Sequence, residues 1–276
     1  MKTILAPVDF SQTADNAAMF AAHLADAMGV RLVLLHVFSI PMPVTEMPVI
    51  IPMPDDLKKE YEDRLQKTAD RIAGIIPSLK TEVRAVAGFA TEEITALASR
   101  MKADLIVMGL HGAGRMEQIF IGSTAATVFG KAPCPVLVVP EHAAYARPEK
   151  IVYAFDFSET HDHQLRLLSE WETLFDAKVM VLNIIPPDQS EKFRYINLQY
   201  IEDHLPLKNY TVDFYEREDV VKGIAEYADQ MHADLIVMTP HHHGFFEKIF
   251  RQSHTREMAF RTHLPLLALH EEVSKV

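Results

Sequence analysis

The sequence predicts an α/β protein of two tandem domains, each built on a doubly wound, open parallel sheet of five strands. Two observations support this prediction: the chain contains an internal repeat, and short apolar runs alternate with helical periodicities in both halves. Strands that alternate with helices form parallel sheets with helices on both faces. A chain of 276 residues with 49% hydrophobic content can fill two cores of ordinary size.

The internal repeat is clearest in the hexapeptide ADLIVM, which occurs at 103–108 and again at 233–238, an offset of 130. Near the start of each half, VDFS at 8–11 matches FDFS at 155–158 at an offset of 147. The offset shortens because the first half carries extra residues, most simply the Met- and Pro-rich insertion at 39–54. A period near 140 residues indicates a duplicated domain rather than a solenoid. We therefore predict a first domain at 1–141, a linker at 142–149 and a second domain at 150–276.

The predicted strands are short runs rich in Val, Ile and Leu. They are too uniformly apolar for half-exposed strands, so each is predicted to be covered on both faces. They lie at 3–8, 31–38, 83–87, 105–109 and 136–139 in the first half, and at 151–155, 178–185, 211–215, 235–239 and 265–269 in the second.

Helical periodicity fills the intervals between these runs. Apolar residues recur on one face over 14–28, 57–75 and 94–101. In the second half one stripe is formed by Gln164, Leu168, Trp171 and Phe175. Asp55 and Thr91 are the predicted N-caps, and Pro77 is predicted to follow a helix end.

Composition argues against several classes of function. The net charge of −11, with both halves acidic, does not favour binding to nucleic acid. Cys134 lies between two prolines and is predicted to be a small buried residue rather than a reactive thiol. Asp9 interrupts the first apolar run before a signal-peptide core forms, and no segment has the roughly 20 unbroken apolar residues of a membrane helix. We therefore predict a cytoplasmic protein that binds neither nucleic acid nor membranes.

The segment GLHGAGRMEQIFIGST, at 109–124, has four glycines directly after a predicted strand. It is either a loose surface turn or a phosphate-binding loop, because glycines let backbone N–H groups approach an anion closely. It is not a Walker A loop, since Arg115 follows Gly114 where a lysine is required, and it does not have the G-x-G-x-x-G dinucleotide spacing. Its spacing is G-x2-G-x9-G-S, read as Gly109, Gly112, Gly122 and Ser123.

The predicted topology brings this loop close to two other positions. Ligands of open parallel sheets bind at the carboxyl ends of the strands, where the strand order reverses. Asp9 and Val37 end the predicted first and second strands, and the glycine loop follows the fourth. Backbone amides, with the hydroxyls of Ser123 and Thr124 at a helix N-terminus, would then hold phosphate.

These residues resemble the universal stress protein family, and the resemblance covers the whole chain as two tandem copies. It rests on PVDFS at 7–11, LLHV at 34–37, the glycine loop after the fourth strand, and APCPVLVVP at 132–140. The resemblance implies a Rossmann-like fold similar to that of the adenine nucleotide alpha hydrolases. In that family the spacing G-x2-G-x9-G-S/T marks the members that bind ATP.

The resemblance also implies roles for individual residues. Asp9 would contact the adenine or ribose, Val37 would hold the adenine through its backbone, and the loop would hold ribose and phosphates of ATP, with or without Mg²⁺. It implies no catalytic residue. It further implies that the fifth strands, VLVVP and PLLAL, pair with each other as a pseudo-dimer within one chain, with a homodimer as a second level of assembly. The implied contact residues are Ala6, Pro7, Asp9, Val37, Met108, Gly109, His111, Gly112, Gly114, Arg115, Gly122, Ser123 and Thr124.

The second half departs from the pattern, since Thr239, His242 and Gln252 stand where the first half has three of its glycines. Side chains there would occupy space that phosphates need, which predicts a degenerate pocket. Three interpretations remain open: a solvated remnant, a zinc site, or a site for an anion other than ATP. The residues that motivate the last two are His161, His163, His241, His242, His243, His254 and Asp156 for zinc, and Lys248, Arg251 and Arg256 for the anion.

Two classes of function remain. One is a nucleotide-dependent sensor or regulator of the stress response, and the other is an enzyme, a slow ATP hydrolase. An interaction scaffold with the His-rich site is a further alternative. The sensor is favoured because no positioned base, no Walker B carboxylate and no nucleotidyl-transferase signature is recognisable.

Three further features have their own predictions. His36 is predicted to be a core or dimer-contact residue with its hydrogen bonds satisfied, and His111 is a candidate phosphate neighbour. The 39–54 insertion is predicted to be a connection, a lid or a partner-binding patch.

Overall fold

The computed structural model describes residues 2–40, 53–110, 122–155, 162–185, 187, 205–239 and 263–270. Within these ranges it has ten strands and six helices, and each described helix lies between two strands in the sequence. The described residues form two compact units that divide between Tyr145 and Ala146. None of the described helices has the length and apolar character of a membrane span.

The first unit contains five parallel strands and four helices. Its elements are β1 (Thr3–Pro7), α1 (Gln12–Met28), β2 (Arg31–Phe38), α2 (Pro54–Ile75), β3 (Thr81–Ala87), α3 (Ala90–Met101), β4 (Leu105–Gly109), α4 (Ser123–Lys131) and β5 (Val136–Val139). The strand order is β3-β2-β1-β4-β5, so the direction of strand succession reverses between β1 and β4.

The second unit repeats this arrangement. Its described elements are β6 (Lys150–Ala154), α5 (Asp162–Phe175), β7 (Lys178–Ile185), β8 (Tyr210–Glu216), α6 (Val220–Met231), β9 (Leu235–Met238) and β10 (Leu266–Ala268). The order is β8-β7-β6-β9-β10, with parallel pairing throughout. The predicted tandem α/β fold with doubly wound parallel sheets is thus confirmed, and each predicted strand is found within about two residues of its predicted bounds.

Side-chain burial confirms that the inner strands are covered on both faces and shows that the two outermost strands are not. The side chains of β4 and β5 are almost all buried, as are those of β9. In contrast, β3 and β8 are mostly half-buried. The prediction that 83–87 and 211–215 are covered on both faces was therefore wrong, because among the described strands these two end the order, where side chains are flanked by a neighbouring strand on one side only.

Two helix starts also differ from the prediction. The N-cap of α2 is Met53 and that of α3 is Phe89, and neither makes a side-chain capping bond. Asp55 and Thr91 lie inside the first turns instead. Asp55 there still interacts favourably with the positive end of the helix dipole, so its presence does not distinguish a cap from a first-turn position. Pro77 follows the end of α2, as predicted.

The predicted helix stripe of the second half is buried, with Gln164, Leu168, Trp171 and Phe175 all less than 4% exposed. Cys134 is also buried, as predicted. Burial, followed by the negative charge of Asp104, raises the pKa of the Cys134 thiol to about 12. The thiol therefore stays protonated at neutral pH and packs as a small apolar residue.

The start of the predicted linker lies on α1. Asn16 Nδ2 donates to the carbonyl oxygens of Pro140 and Ala143, each at 3.0 Å. The Tyr145 ring stacks on His23 with centroids 5.4 Å apart. The boundaries 1–141, 142–149 and 150–276 stay a prediction, although the division between the units falls inside the predicted linker.

Candidate functional site

Three neighbouring strands of the first unit end at one edge of the sheet. The register pairs Pro7 of β1 with Leu35 of β2, so Asp9 and Val37 follow at the same level. On the other side of β1, Leu5 pairs with Ile106 of β4, which ends at Gly109. The fold thus brings together the carboxyl ends of the three strands that were predicted to flank a ligand.

Asp9 belongs to a tight turn between β1 and α1. Its Oδ1 accepts hydrogen bonds from the Ser11 backbone N–H at 3.0 Å and from Ser11 Oγ at 2.6 Å. Ser11 in turn caps α1, since its Oγ accepts from the Ala14 N–H at 3.1 Å. Phe10, between them, has φ of 63°, in the left-handed region that non-glycine residues rarely adopt. The Asp9 carboxylate is therefore held by Ser11, the residue that also caps the helix.

His36 lies beside this turn. Its Nδ1 is 2.7 Å from the Val8 carbonyl oxygen, so Nδ1 carries the proton and donates in the neutral ring. Burial is the main cause that lowers the pKa of His36 below 6.5, and the Arg64 charge lowers it further, against the opposing effects of the Val8 hydrogen bond and Asp9. The contact supports the prediction of a satisfied histidine.

Gly109 has a packing role of its own. A Cβ at this position would lie 2.9 Å from Thr13 Cγ2 and 3.1 Å from the Thr13 carbonyl oxygen. Real Cβ atoms do not approach other atoms so closely, so the first turn of α1 packs over the end of β4 only because residue 109 is glycine. The sequence interpretation, which reserved this space for phosphate, did not include Thr13.

Helix α4 begins at the other end of the glycine loop. Its N-cap, Gly122, makes no side-chain capping bond, and its backbone N–H donates to the Leu110 carbonyl at 2.8 Å. This bond places the start of α4 next to the end of β4. Ser123 is exposed and Thr124 half-buried there, and the first-turn N–H groups of a helix attract anions.

The remaining predicted contact residues divide into three groups. Ala6 and Met108 are buried within β1 and β4, below the edge of the sheet. Pro7 and Val37 are half-buried at the edge itself. The loop residues His111, Gly112, Gly114 and Arg115 lie outside the described residues, and so does most of the 39–54 insertion.

The second unit has a different residue at the position of His36. Asn183, on β7, donates from Nδ2 to the Phe155 carbonyl at 2.9 Å, which matches the bond from His36 to Val8. Thr239 is buried at the position that corresponds to Gly109. The histidines at 241–243 and the other predicted ligands lie outside the described residues, except His163, which is half-buried. Among the described residues no group of three or more His, Cys, Asp or Glu side chains is placed to hold a metal.

The sequence interpretation missed the side chains that surround the Asp9 turn. Phe10 and Thr13 precede and begin α1, and Tyr61 and Arg64 come from α2. Tyr61 lies within 57–75, where apolar residues were predicted to recur on one helix face, and this periodicity was the available signal. The position of Arg64 above the Phe10 ring could not be predicted from the sequence, because it depends on how α2 packs in the fold.

Comparison with known proteins agrees with this architecture. The profile of the universal stress protein family matches residues 1–140 and again 148–270. A universal stress protein of Thermus aquaticus, named for its place in the QAH/OAS sulfhydrylase 3' region, is 33% identical over 50% of this chain and 98% of its own length. The universal stress protein MJ0531 of Methanocaldococcus jannaschii is 32% identical over 50% of this chain and 81% of its own. A solved universal stress protein of Archaeoglobus fulgidus has the same fold, with a TM-score of 0.74 at 18% identity over 99% of this chain and 97% of that one.

Proposed function

The chain belongs to the universal stress protein family, and we propose that its first half binds one ATP as a nucleotide-dependent regulator. The nucleotide would lie at the edge formed by Asp9, Val37 and Gly109, with its phosphates at the start of α4. The second half would bind no ATP. Nucleotide binding would change which partners the chain contacts, and hydrolysis of the nucleotide would not be required.

The observation that carries the proposal is the junction between β4 and α4. The Gly122 to Leu110 hydrogen bond brings the end of the glycine loop back to the end of β4, so α4 begins beside one of the two strands between which the strand order reverses. The helix end lacks a side-chain cap, and its N–H groups are suited to an anion. The spacing G-x2-G-x9-G-S ends at this helix start.

Different groups of the chain would bind different parts of the nucleotide, according to whether they donate or accept hydrogen bonds. Backbone N–H groups and the hydroxyls of Ser123 and Thr124 would donate to the phosphates. The Asp9 carboxylate, an acceptor, suits the hydroxyls of a ribose or the amine of an adenine. In an acidic chain, such fixed donors are the means of binding a polyanion locally without a basic face.

The asymmetry between the halves follows from three replaced glycines. Thr239, His242 and Gln252 each put a side chain where the first half has none. A single misplaced side chain can remove several backbone donors, and each hydrogen bond to a charged group contributes about 1.5–3 kcal/mol. Loss of two such bonds weakens binding about a hundredfold or more.

Titration calorimetry of the full chain with ATP tests the proposal. We expect one site per chain, and the same site in a Gln252→Val variant, which alters only the second half. Two equivalent sites would contradict the asymmetry, and no heat or competition at any nucleotide concentration would reject ATP as the ligand.

A single-turnover assay on the same preparation separates the regulator from a slow hydrolase, since stoichiometric conversion to ADP would favour the enzyme. Elemental analysis before and after zinc soaking tests the metal interpretation of the second half. Pairing of the two fifth strands, assembly of two chains and a cytoplasmic location stay predictions from the sequence.

A further inference from the structure

The backbone of Phe10 adopts a conformation that needs support. Its φ of 63° is in the left-handed region, where the Cβ of a non-glycine residue is crowded. Such conformations persist where surrounding contacts determine them. Phe10 connects Asp9 to Ser11, so whatever holds Phe10 also holds the turn that fixes the Asp9 carboxylate.

Three side chains hold the Phe10 ring. The Arg64 guanidinium carbon lies 3.8 Å from the ring centroid, close enough for a cation–π contact. The Tyr61 ring is nearly parallel to the Phe10 ring, at 15° and a centroid distance of 6.3 Å. The His36 ring lies 4.6 Å away. We call Phe10, His36, Tyr61 and Arg64 the aromatic clamp.

The aromatic clamp is anchored to the sheet on its far side. His36 Nδ1 contacts the Val8 carbonyl, and the Val8 N–H donates to the Leu35 carbonyl at 2.7 Å. Tyr61 also packs against Phe38 with centroids 5.0 Å apart. The ring of Phe10 is therefore held between α2 and the frame formed by β1 and β2.

We propose that Tyr61 and Arg64 are positioning residues of the nucleotide site. By holding the Phe10 ring they keep the turn in which Asp9 accepts from Ser11, and so keep the Asp9 carboxylate oriented for nucleotide. This inference rests on the proposed function, because it takes Asp9 as a nucleotide contact. It assigns to α2, the helix that follows the insertion, a part in binding that the glycine loop does not account for.

A direct role of Arg64 is the alternative that the test has to exclude. Arg64 is exposed, and a guanidinium near a polyanion attracts it through charge alone. A purely electrostatic effect would be lost at high salt and would not depend on Phe10. A positioning effect passes through the Phe10 ring and disappears with it.

The first experiment compares Arg64→Ala with Lys67→Ala in the full chain. Lys67 is an exposed cation one turn later on α2, so its removal changes the net charge equally. We expect Arg64→Ala to weaken ATP binding about two- to fivefold, the range of an exposed cation–π contact, and Lys67→Ala to leave it unchanged. Without nucleotide, amide exchange in the peptide containing Ser11 should be faster in Arg64→Ala and normal in Lys67→Ala.

The second experiment repeats Arg64→Ala in a Phe10→Ala background. If Arg64 acts through the ring, the second substitution has no further effect on affinity or on Ser11 exchange. An unchanged Arg64 effect in that background, or equal losses for Arg64→Ala and Lys67→Ala, would overturn the positioning role. If wild-type protein binds no ATP, the proposed function fails together with the nucleotide part of this inference. The exchange measurement without nucleotide then tests separately whether the aromatic clamp holds the turn.

Discussion

In both units, an aspartate just before the fourth strand of the repeat holds the start of the first strand. Asp104 Oδ2 accepts from the backbone N–H groups of Lys2 and Thr3, the latter at 2.8 Å. Asp234 Oδ2 accepts in the same way from Glu149 and Lys150, at 3.0 and 2.8 Å. The amino edge of the sheet is thus built by the same contact twice.

The carboxyl edges differ. His36 in the first unit corresponds to Asn183 in the second, and Gly109 corresponds to the buried Thr239. The comparison shows that the two units keep the same backbone contact at the amino edge and differ in side chains at the carboxyl edge. This is the edge at which open parallel sheets place ligands, so the proposed difference in nucleotide binding between the halves is located where their residues differ.

The largest effect is expected for Gly122→Val. Gly122 has φ of −61° and ψ of 153°, an extended conformation that valine also adopts, so the fold should persist. The branched side chain would occupy the phosphate space at the start of α4. We expect ATP affinity to fall about a hundredfold or more, measured by calorimetry. Undiminished affinity in a folded variant would show that the loop does not bind phosphate, and Gln252→Val is the matched control in the other half.

Gly109→Ala should destabilise the first unit. The new methyl group would meet both the side chain and the backbone of Thr13, and overpacking of this kind costs about 1–3 kcal/mol. Amide exchange, measured separately for the two units, should rise in the first and not in the second. Gly130→Ala is the control, and it should stabilise the unit slightly: among the described residues, no atom outside the adjacent residues and the backbone of α4 lies within 4 Å of the Cβ position, and alanine is the better helix former. If Gly109→Ala were as stable as wild type, the close packing of α1 on β4 would be refuted.

Removal of the shared aspartates should have similar effects in the two units. Asp104→Ala or Asp234→Ala removes the acceptor of two backbone N–H groups, one on the first residue of the strand and one on the residue before it, at a cost of about 1–2 kcal/mol for partly exposed groups. Exchange should rise in β1 for the first variant and in β6 for the second. A variant that affected one unit much more than the other would contradict the equivalence of the amino edges.

The sequence was informative where the pattern is local and repeated. The inner strands are continuous apolar runs and occur twice, so their positions were predictable within about two residues. The edge positions of β3 and β8 were not, because the order of strands depends on which neighbours they find in space. The cap of α3 is Phe89, a residue type that gives no capping signal, so the nearby Thr91 was chosen in its place.

Only part of the candidate site was likewise predictable from the sequence. The spacing of its glycines is visible in one segment, and Asp9 and Val37 follow from the topology. The contacts of Gly109 with Thr13 and of Arg64 with Phe10 join segments far apart in the sequence, and depend on how α1 and α2 cross the sheet. A positive φ at Phe10 likewise has no signal in a residue type that rarely adopts it.

The smallest effect is expected from pH, and it sharpens the comparison of His36 with Asn183. Because burial lowers the pKa of His36, the folded chain binds fewer protons than the unfolded chain between that value and 6.5. The stability that the neutral ring contributes is therefore present above pH 6.5 and is lost as the pH falls through the folded pKa.

His36→Asn introduces the residue that the second unit uses, which donates to a carbonyl at 2.9 Å and does not titrate. On acidification from about pH 7.5 to about 5.5, amide exchange in the first unit should rise more in wild type than in His36→Asn, after correction for intrinsic exchange rates. Exchange in the second unit, with Asn183 at this position, should respond equally in both proteins, and an equal response in the first unit would show that His36 does not carry the pH dependence.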